Sequence, residues 1–271
     1  MKDVATRRVA RDSRIDVLRG IALLTIFVNH VPGNFYENWT TRNFGFSDAA
    51  EGFVLMSGIA AGLAYSGGFA TMPFTDAAAR IWARARKLYV VHLLIIAMAI
   101  CLLGAGLLYF GTQDLANRTN LTRLTTEPAA SLIGVATLGH QLAYFNILPL
   151  YVVLLMAAPA FIMIGRRSLL AMIAVSAAIW YAAGTWRLNV PNFPGDGGWF
   201  FNPIAWQFLF VIGLAGGMAM RQGRSLVPFN RYLFAAAGGY LLFTAYWLLS
   251  GGGNLPGSAH VPFFVGGFDK T

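Results

Sequence analysis

The sequence predicts an all-α fold, a polytopic transmembrane helix bundle with about seven spans in this chain. Of the 271 residues, 57% are hydrophobic and only 11% are charged, whereas a soluble domain carries about 25% charged residues. Several apolar runs reach the ~18–20 residues that are needed to cross a bilayer. We therefore expect one integral-membrane domain over residues 1–271, with the lipid bilayer as its surroundings.

The predicted elements follow one another with mostly short loops. Residues 1–14 form a basic cytoplasmic tail before the first span. The seven predicted spans are residues 16–32, 48–67, 82–110, 143–164, 168–186, 201–220 and 232–250. Between the third and fourth spans, residues 111–128 are expected to form a polar loop and residues 129–141 a partial helix. A Gly-rich polar tail on the periplasmic side, 251–271, ends the chain.

The distribution of Lys and Arg orients these spans. When the N-terminus is placed in the cytoplasm, 15 of the 20 Lys and Arg residues fall on the inner side. The remaining five, on the outer side, are Arg42, Arg118, Arg123, Arg187 and Lys270. This is the positive-inside pattern, and it also explains the net charge of +9. No basic soluble domain remains that could hold a nucleic acid, so no nucleic-acid partner is expected.

Metal and cofactor sites are not predicted. The only cysteine, Cys101, lies in an apolar run, which excludes an intrachain disulfide and a cysteine-based metal site. The sequence contains no HExxH, Walker or dinucleotide-binding GxGxxG motif.

The first span carries three ionisable residues, which is unusual for a helix that only anchors a protein. Asp16 and Arg19 lie near its inner end and His30 lies at its outer end. Arg19 and His30 are 11 positions apart, so both side chains project from one face, roughly 16 Å apart along the axis. Because ionisable groups within a span are costly and usually line a pathway, this helix is predicted to contribute to a functional site.

His30 is the leading candidate for a catalytic base. The second span begins near Asp48 and Glu51, so these carboxylates are expected at a depth similar to that of His30. Their spacing places them on one helix face. A carboxylate that orients a histidine is the arrangement that removes a proton from a hydroxyl. The alternative is a structural histidine beside a helix that Asp48 merely caps.

Two sets of basic residues are candidates for binding an anion. Arg19 lies within the span, although Asp16 could simply neutralise it as an ion pair. Arg80, Arg84 and Lys87 have the spacing of one helical face at the inner mouth, which we call the basic face. Such a face could bind phosphates or a carboxylate, and the alternative is a topology signal alone.

Three further polar residues are interpreted as structural. Ser57 and Gly58 lie in the second span, but no G-x-S-x-G elbow surrounds them. Gly58 is expected to permit close helix packing, and Ser57 is expected to bond to the backbone or to a neighbouring helix. His92 and His140 are lone histidines in apolar segments, and each is expected to be a satisfied structural group.

Several stretches resemble known family motifs. The run RIDVLRGIALLTIFVNH (14–30), with its Arg-x10-His spacing, resembles the first span of the acyltransferase 3 superfamily. FVLMSG (53–58) resembles that superfamily's Phe-Phe-x-x-Ser-Gly motif, with Val54 in place of the second Phe. The stretches that are similar to the OpgC family, the succinyltransferases of osmoregulated periplasmic glucans, are NFGFSDAAEGFVLMSG (43–58), ILPLYVVLL (147–155) and NPIAWQFLFVIG (202–213).

This resemblance, which covers the chain from about Arg14 to Thr271, implies a bacterial inner-membrane enzyme of about ten spans. The enzyme takes an acyl group from a cytoplasmic acyl-CoA, expected to be succinyl-CoA, and esterifies sugar hydroxyls of a periplasmic glucan. Acyl-CoA is then a co-substrate, and no cofactor is bound. Family members continue with about three more spans, so this chain is expected to be C-terminally truncated at Asp269-Lys270-Thr271.

The resemblance also implies roles for individual residues. His30 is the expected catalytic base, and Arg19 is the other member of its motif. The residues that match family positions near the site are Asp16, Asp48 and Glu51. The residues that match the superfamily's basic entry to the third span are Arg84, Arg86 and Lys87.

A transporter or exporter of an anionic or acylated solute is the alternative function. Arg19 would then clamp the solute and His30 would relay protons. No repeated halves are evident in the sequence, which weighs against a transporter.

Overall fold

The structure is a computed structural model that describes residues 12–31 and 33–249. Most of the basic tail, Pro32 at the end of the first predicted span and the tail 251–271 with Lys270 lie outside the described residues. Within the described residues the fold is all-α, as predicted. The only β pairing there is an isolated antiparallel bridge between Pro191 and Gly198.

The helices, in chain order, alternate between long apolar elements and short connecting turns. Their bounds are α1 (Ser13–Asn29), α2 (Ala49–Tyr65), α3 (Gly68–Thr71), α4 (Phe74–Phe110), α5 (Gln113–Arg118), α6 (Leu121–Thr126), α7 (Pro128–Ala136), α8 (Ile147–Arg167), α9 (Leu169–Trp186), α10 (Pro203–Arg221) and α11 (Arg231–Leu249). Two 3-10 helices between α1 and α2 span Phe35–Trp39 and Thr41–Asn43.

Among the described residues, 5 helical stretches are long and apolar enough to cross a membrane. They are Ala49–Thr71, Phe74–Phe110, Ile147–Arg167, Leu169–Trp186 and Pro203–Arg221. These stretches correspond to the second to sixth predicted spans. The first predicted span corresponds to α1, whose 17 residues make a helix about 26 Å long. For α1 and α11, crossing the bilayer stays a prediction.

Two parts of the predicted outline are wrong. The third span was predicted to begin at residue 82, but α4 begins at Phe74, because basic residues mark the membrane boundary and not the end of a helix. With 37 residues, α4 is about 55 Å long and exceeds the ~30 Å hydrocarbon core. The predicted polar loop 111–128 contains α5 and α6, which was not predicted, whereas the partial helix predicted over 129–141 is present as α7.

The described chain divides into two compact units. Unit one runs up to Gly67 and resumes at Leu209, and unit two covers Gly68–Phe208. In unit one, α1 packs against α2. In unit two, α4 packs against α8, and α8 packs against α9.

Within unit one, α2 and the later part of α10 approach each other backbone to backbone. A Cβ at Gly58 would overlap the backbone carbonyl of Phe210, and a Cβ at Gly213 would overlap that of Leu55. The glycines that repeat this close approach one turn later are Gly62 and Gly217. The prediction that Gly58 permits close helix packing is confirmed. Each helix carries the small-xxx-small spacing that membrane helices use for such crossings.

Within unit two, a buried polar pair joins α9 to the start of α10. Ser176 Oγ donates a hydrogen bond to Gln207 Oε1 at 2.5 Å, and Gln207 Nε2 donates one to the Ser176 carbonyl oxygen at 2.9 Å. Both side chains are buried. Because each satisfies the other, neither polar side chain imposes the cost of an unpaired buried group.

Candidate functional site

The start of α1 is fixed by a side-chain cap. The Asp12 carboxylate accepts a hydrogen bond from the Arg14 backbone N–H at 3.1 Å and another from the Arg14 guanidinium at 2.8 Å. The bond from the Arg14 side chain lowers the pKa of Asp12. The cap places Asp16 in the first turn of α1, where a carboxylate stabilises the positive end of the helix dipole.

His30 follows the last residue of α1 and is exposed. Its Nδ1 lies 2.6 Å from the backbone carbonyl oxygen of Ile26. Because a carbonyl oxygen can only accept, Nδ1 is the nitrogen that carries the proton. In the neutral imidazole the lone pair then belongs to Nε2. This contact fixes both the ring orientation and the tautomer, which are the properties that a general base requires.

Asp48 and Glu51 form a capping box at the start of α2. The Asp48 carboxylate accepts a hydrogen bond from the Ala50 N–H at 2.7 Å, and Glu51 Oε2 accepts one from the Asp48 N–H at 2.9 Å. The structure therefore confirms that Asp48 caps α2, and Glu51 takes part in the same cap. Each carboxylate has a second oxygen, so a role toward His30 is compatible with capping and stays a prediction.

Arg19 contacts α2 through an aromatic ring. Its guanidinium carbon lies 5.4 Å from the centroid of the Phe53 ring, which is a cation–π distance. Phe53 is only two residues beyond Glu51, so the guanidinium lies beside the beginning of α2. The neutralising pair of Arg19 with Asp16 that the sequence allowed stays a prediction.

Three buried polar atoms of α1 and α2 have no hydrogen-bond partner among the described residues. They are Arg19 Nε, Asn29 Oδ1 and Ser57 Oγ. The expectation that Ser57 bonds to the backbone or to a neighbouring helix is wrong, because its Oγ bonds to neither within the described residues. Asn29, directly before His30, was missed by the sequence analysis, although an amide beside a candidate base was a readable signal. Such unsatisfied atoms are rare in folded proteins, so each of these three side chains is a candidate for binding a polar group.

The basic residues of α4 are all exposed and lie in its first four turns. Arg80, Arg84 and Lys87 share one helical face, as predicted, whereas Arg86 projects about 200° away from Arg84. In the described part of the chain, none of the four forms a hydrogen bond or an ion pair with another residue. The basic face therefore presents cations that are available to an anionic ligand.

The two histidines of unit two differ from the expectation that both are satisfied. Both ring nitrogens of His92 and the Nε2 of His140 are buried without a hydrogen-bond partner in the described ranges.

Comparison with curated proteins gives no match, and comparison with solved structures gives none either. A protein-family model described as OpgC protein matches residues 11–271, which is nearly the whole chain.

Proposed function

The chain belongs to the OpgC family, and on that premise we propose that it transfers a succinyl group from a cytoplasmic acyl-CoA to hydroxyl groups of a periplasmic glucan. Family membership points to an acyltransferase that acts in glucan modification. The succinyl donor, the glucan acceptor, the bacterial inner membrane and the cytoplasmic N-terminus belong to the proposal.

The proposal that His30 is the catalytic base depends on one contact of its ring. Nδ1 of His30 donates to the Ile26 carbonyl at 2.6 Å, so Nε2 holds the lone pair of the neutral ring. His30 lies at the end of α1 that the charge pattern assigns to the outer side. A hydroxyl of a periplasmic acceptor would meet this nitrogen without entering the bilayer core. A histidine held in this way is oriented to remove a proton from a hydroxyl.

The chemical step balances with no further reactant. Nε2 takes the proton from the acceptor hydroxyl while the hydroxyl oxygen forms a bond to the thioester carbonyl carbon. The tetrahedral intermediate then collapses, the carbon–sulfur bond breaks, and the leaving thiolate receives the proton from the imidazolium. The products are the glucan ester and free coenzyme A. Asp48 or Glu51 would stabilise the imidazolium that forms between the two steps.

Basic residues would bind the donor. The basic face of α4, with Arg80, Arg84 and Lys87, has the charge and the exposure to hold the coenzyme A phosphates, and Arg86 adds charge nearby. Arg19 has a buried Nε without a partner in the described chain and is suited to an anionic or carbonyl group, with Asp16 in the same part of α1.

The test measures transfer of labelled succinyl groups from succinyl-CoA to glucan in inverted membrane vesicles. His30→Ala should lower turnover by about 10²–10⁴-fold, the usual contribution of general base catalysis. Asn38→Ala, an exposed substitution in the following turn, is the control and should keep full activity at equal protein level. Unchanged transfer in His30→Ala would remove the proposed base. Movement of an anionic solute across the vesicle membrane without ester formation would favour a transporter instead.

A further inference from the structure

Three aromatic side chains that follow shortly after His30 remain open in unit one. They belong to the 3-10 helix Phe35–Trp39, in which Phe35 is 68% exposed, Tyr36 71% and Trp39 69%. We call these three residues the aromatic cluster. Single exposed apolar side chains are ordinary, but a contiguous exposed group marks a surface that receives a partner.

The three rings of the aromatic cluster adjoin one another. The ring centroids of Phe35 and Tyr36 are 6.1 Å apart with their planes at 72°, and those of Phe35 and Trp39 are 6.3 Å apart with their planes at 55°. Tyr36 and Trp39 are three residues apart, and in a 3-10 helix side chains at this spacing lie on the same face. Because the rings contact one another while most of their surface stays exposed, they form one aromatic surface that is open to a ligand.

The helix that carries the aromatic cluster is bonded to the end of α1. Asn34 Oδ1 accepts a hydrogen bond from the Glu37 N–H at 3.1 Å, and Asn34 Nδ2 donates one to the Val28 carbonyl at 2.8 Å. Arg42 Nη1 donates to the Asn29 carbonyl at 3.5 Å. Val28 and Asn29 directly precede the candidate base, so these bonds hold the aromatic cluster beside it. A surface that is fixed in advance loses little conformational entropy when a ligand binds.

A carboxylate beside the rings adds a polar contact. Within the described chain the hydrogen bonds of Glu37 use its backbone N–H and carbonyl, so its carboxylate is available to a ligand. A 3-10 helix has three residues per turn, so Glu37 projects from the same turn as Tyr36 and Trp39. Asn38, by contrast, donates its amide to the Phe35 carbonyl at 3.2 Å and contributes to the helix itself.

This combination of groups favours a sugar over lipid chains as the ligand. An ionised carboxylate accepts hydrogen bonds from hydroxyl groups, whereas its insertion among lipid chains is costly. The face of an aromatic ring carries a negative partial charge, which attracts the C–H groups on the flat face of a glucose ring. A neutral ring with several hydroxyl groups makes both contacts at once, whereas an aliphatic chain uses the aromatic rings alone.

We propose that the aromatic cluster is a subsite for the acceptor glucan, in which a glucose ring stacks on the aromatic side chains and the Glu37 carboxylate accepts hydrogen bonds from its hydroxyl groups. The subsite rests on the proposed function, because the charge pattern that assigns His30 to the outer side assigns the aromatic cluster to that side too. The subsite positions the acceptor so that a hydroxyl of the glucan reaches His30, and it takes no part in the bond-making step.

The experiment measures binding of a labelled short glucose oligomer to the full chain in lipid nanodiscs by equilibrium dialysis. Trp39→Ala should weaken binding at least about tenfold, the cost of losing a central aromatic contact. Trp39→Phe keeps an aromatic ring and should lose less, and Glu37→Ala should also weaken binding. Trp186→Ala removes an indole that is 70% exposed at the end of α9 and is the control, which should bind as the unaltered chain does. Binding of succinyl-CoA to the same samples should not change.

Equal oligomer affinity in the unaltered chain, in Trp39→Ala and in Glu37→Ala would overturn the subsite. Trp and Tyr also occur at membrane interfaces, so quenching by lipids with brominated chains is measured on the same samples. Quenching of the fluorescence that Trp39→Phe removes, together with unaltered oligomer binding, would make the aromatic cluster a membrane anchor instead. If Trp39→Ala does not fold, the fluorescence of Trp39 in the unaltered chain decides, because a stacked sugar must change it and an unchanged signal would overturn the subsite.

The subsite and the proposed function can fail separately. Oligomer binding that depends on Trp39 in a chain without succinyl transfer would sink the proposed function and keep the subsite. Transfer that depends on His30, together with unaltered oligomer binding in Trp39→Ala, would do the reverse.

Discussion

Arg221 Nη1 donates a hydrogen bond to the backbone carbonyl oxygen of Leu63 at 2.7 Å, so the end of α10 caps the end of α2. Leu63 is one of the last four residues of α2, whose carbonyls have no partner within the helix. The guanidinium also occupies the space beside Gly67, which a side chain at that position would need. Arg221, which the topology treats only as a positive charge on the inner side, thus also links the ends of α2 and α10 within unit one.

Replacing Arg221 by Met should lower the stability of the chain by about 1–3 kcal/mol, because the Leu63 carbonyl loses the hydrogen bond that Arg221 donates. Thermal unfolding in nanodiscs measures the effect. Arg224→Met makes the same change of charge at a residue that bonds to Gln222, and it should leave the midpoint nearly unchanged. Equal losses in both variants would assign the effect to charge and not to the cap.

The close approach of α2 and α10 at their glycines leads to a second prediction. Gly58→Ala should prevent the close approach, because the new Cβ would overlap the Phe210 carbonyl and backbone atoms cannot move as a flexible side chain can. We expect a large loss of folded protein in detergent, measured by size-exclusion chromatography. Gly52→Ala lies in the same helix with open space around it and should be neutral or stabilising by up to ~1 kcal/mol. A tolerated Gly58→Ala would contradict the crossing.

Substituting Asp48 by Ser separates capping from chemistry. Serine is as good an N-cap as aspartate, so Asp48→Ser should keep the thermal midpoint. If the carboxylate stabilises the His30 imidazolium, the same variant should lose succinyl transfer by at least about tenfold. Asp48→Ala, which removes both functions, should lose about 1 kcal/mol of stability as well. Full transfer in Asp48→Ser would leave Asp48 with the cap alone.

Acidification should destabilise the chain partly through His140. Its pKa in the folded protein lies below the ordinary value of 6.5, mainly because of burial and then because of Arg123. The unfolded chain therefore binds a proton more readily, so this contribution is complete above the unfolded pKa of about 6.5 and is lost as the pH falls toward the lower folded pKa. His140→Gln should flatten the dependence of the unfolding free energy on pH in that window.

Arg123→Gln provides the matched comparison for the pH series. Removing the guanidinium should raise the pKa of His140 and reduce the loss on acidification without abolishing it. An unaltered pH dependence in both variants would show that other groups control the acid response.

The apolar spans were predictable because a run of hydrophobic residues long enough for the bilayer leaves the chain few alternatives. The start of α4 could not be predicted, because Arg80 and Lys87 indicate the membrane boundary, whereas the helix continues beyond that boundary to Phe74. The short helices α5 and α6 lacked a hydrophobic period that could reveal them. The partner glycines on α10 could have been found, since Gly213 and Gly217 repeat the spacing of Gly58 and Gly62.

For the candidate site, sequence reasoning selected the residue types but not their partners. The Arg19-to-His30 spacing and the cap at Asp48 were readable from local pattern. The contact of Arg19 with Phe53 depends on how α1 and α2 are offset, which no local pattern encodes. The unsatisfied nitrogens of His92 could not be predicted either, because a buried histidine is satisfied or not by residues that are distant in the sequence.

The hydrogen-bonded pair Ser176 and Gln207 sets the register of α9 against the start of α10. Apolar helix surfaces are chemically uniform, so in lipid they can slide past or rotate against each other at little cost. A shift of α9 by one residue moves it by ~1.5 Å and turns it by ~100°, and both hydrogen bonds of the pair would be lost together. The two hydrogen bonds therefore fix the register of α9 against the start of α10. Substitutions elsewhere on α9 should change how tightly it packs, but not which residues it presents to the start of α10, residues 203–208.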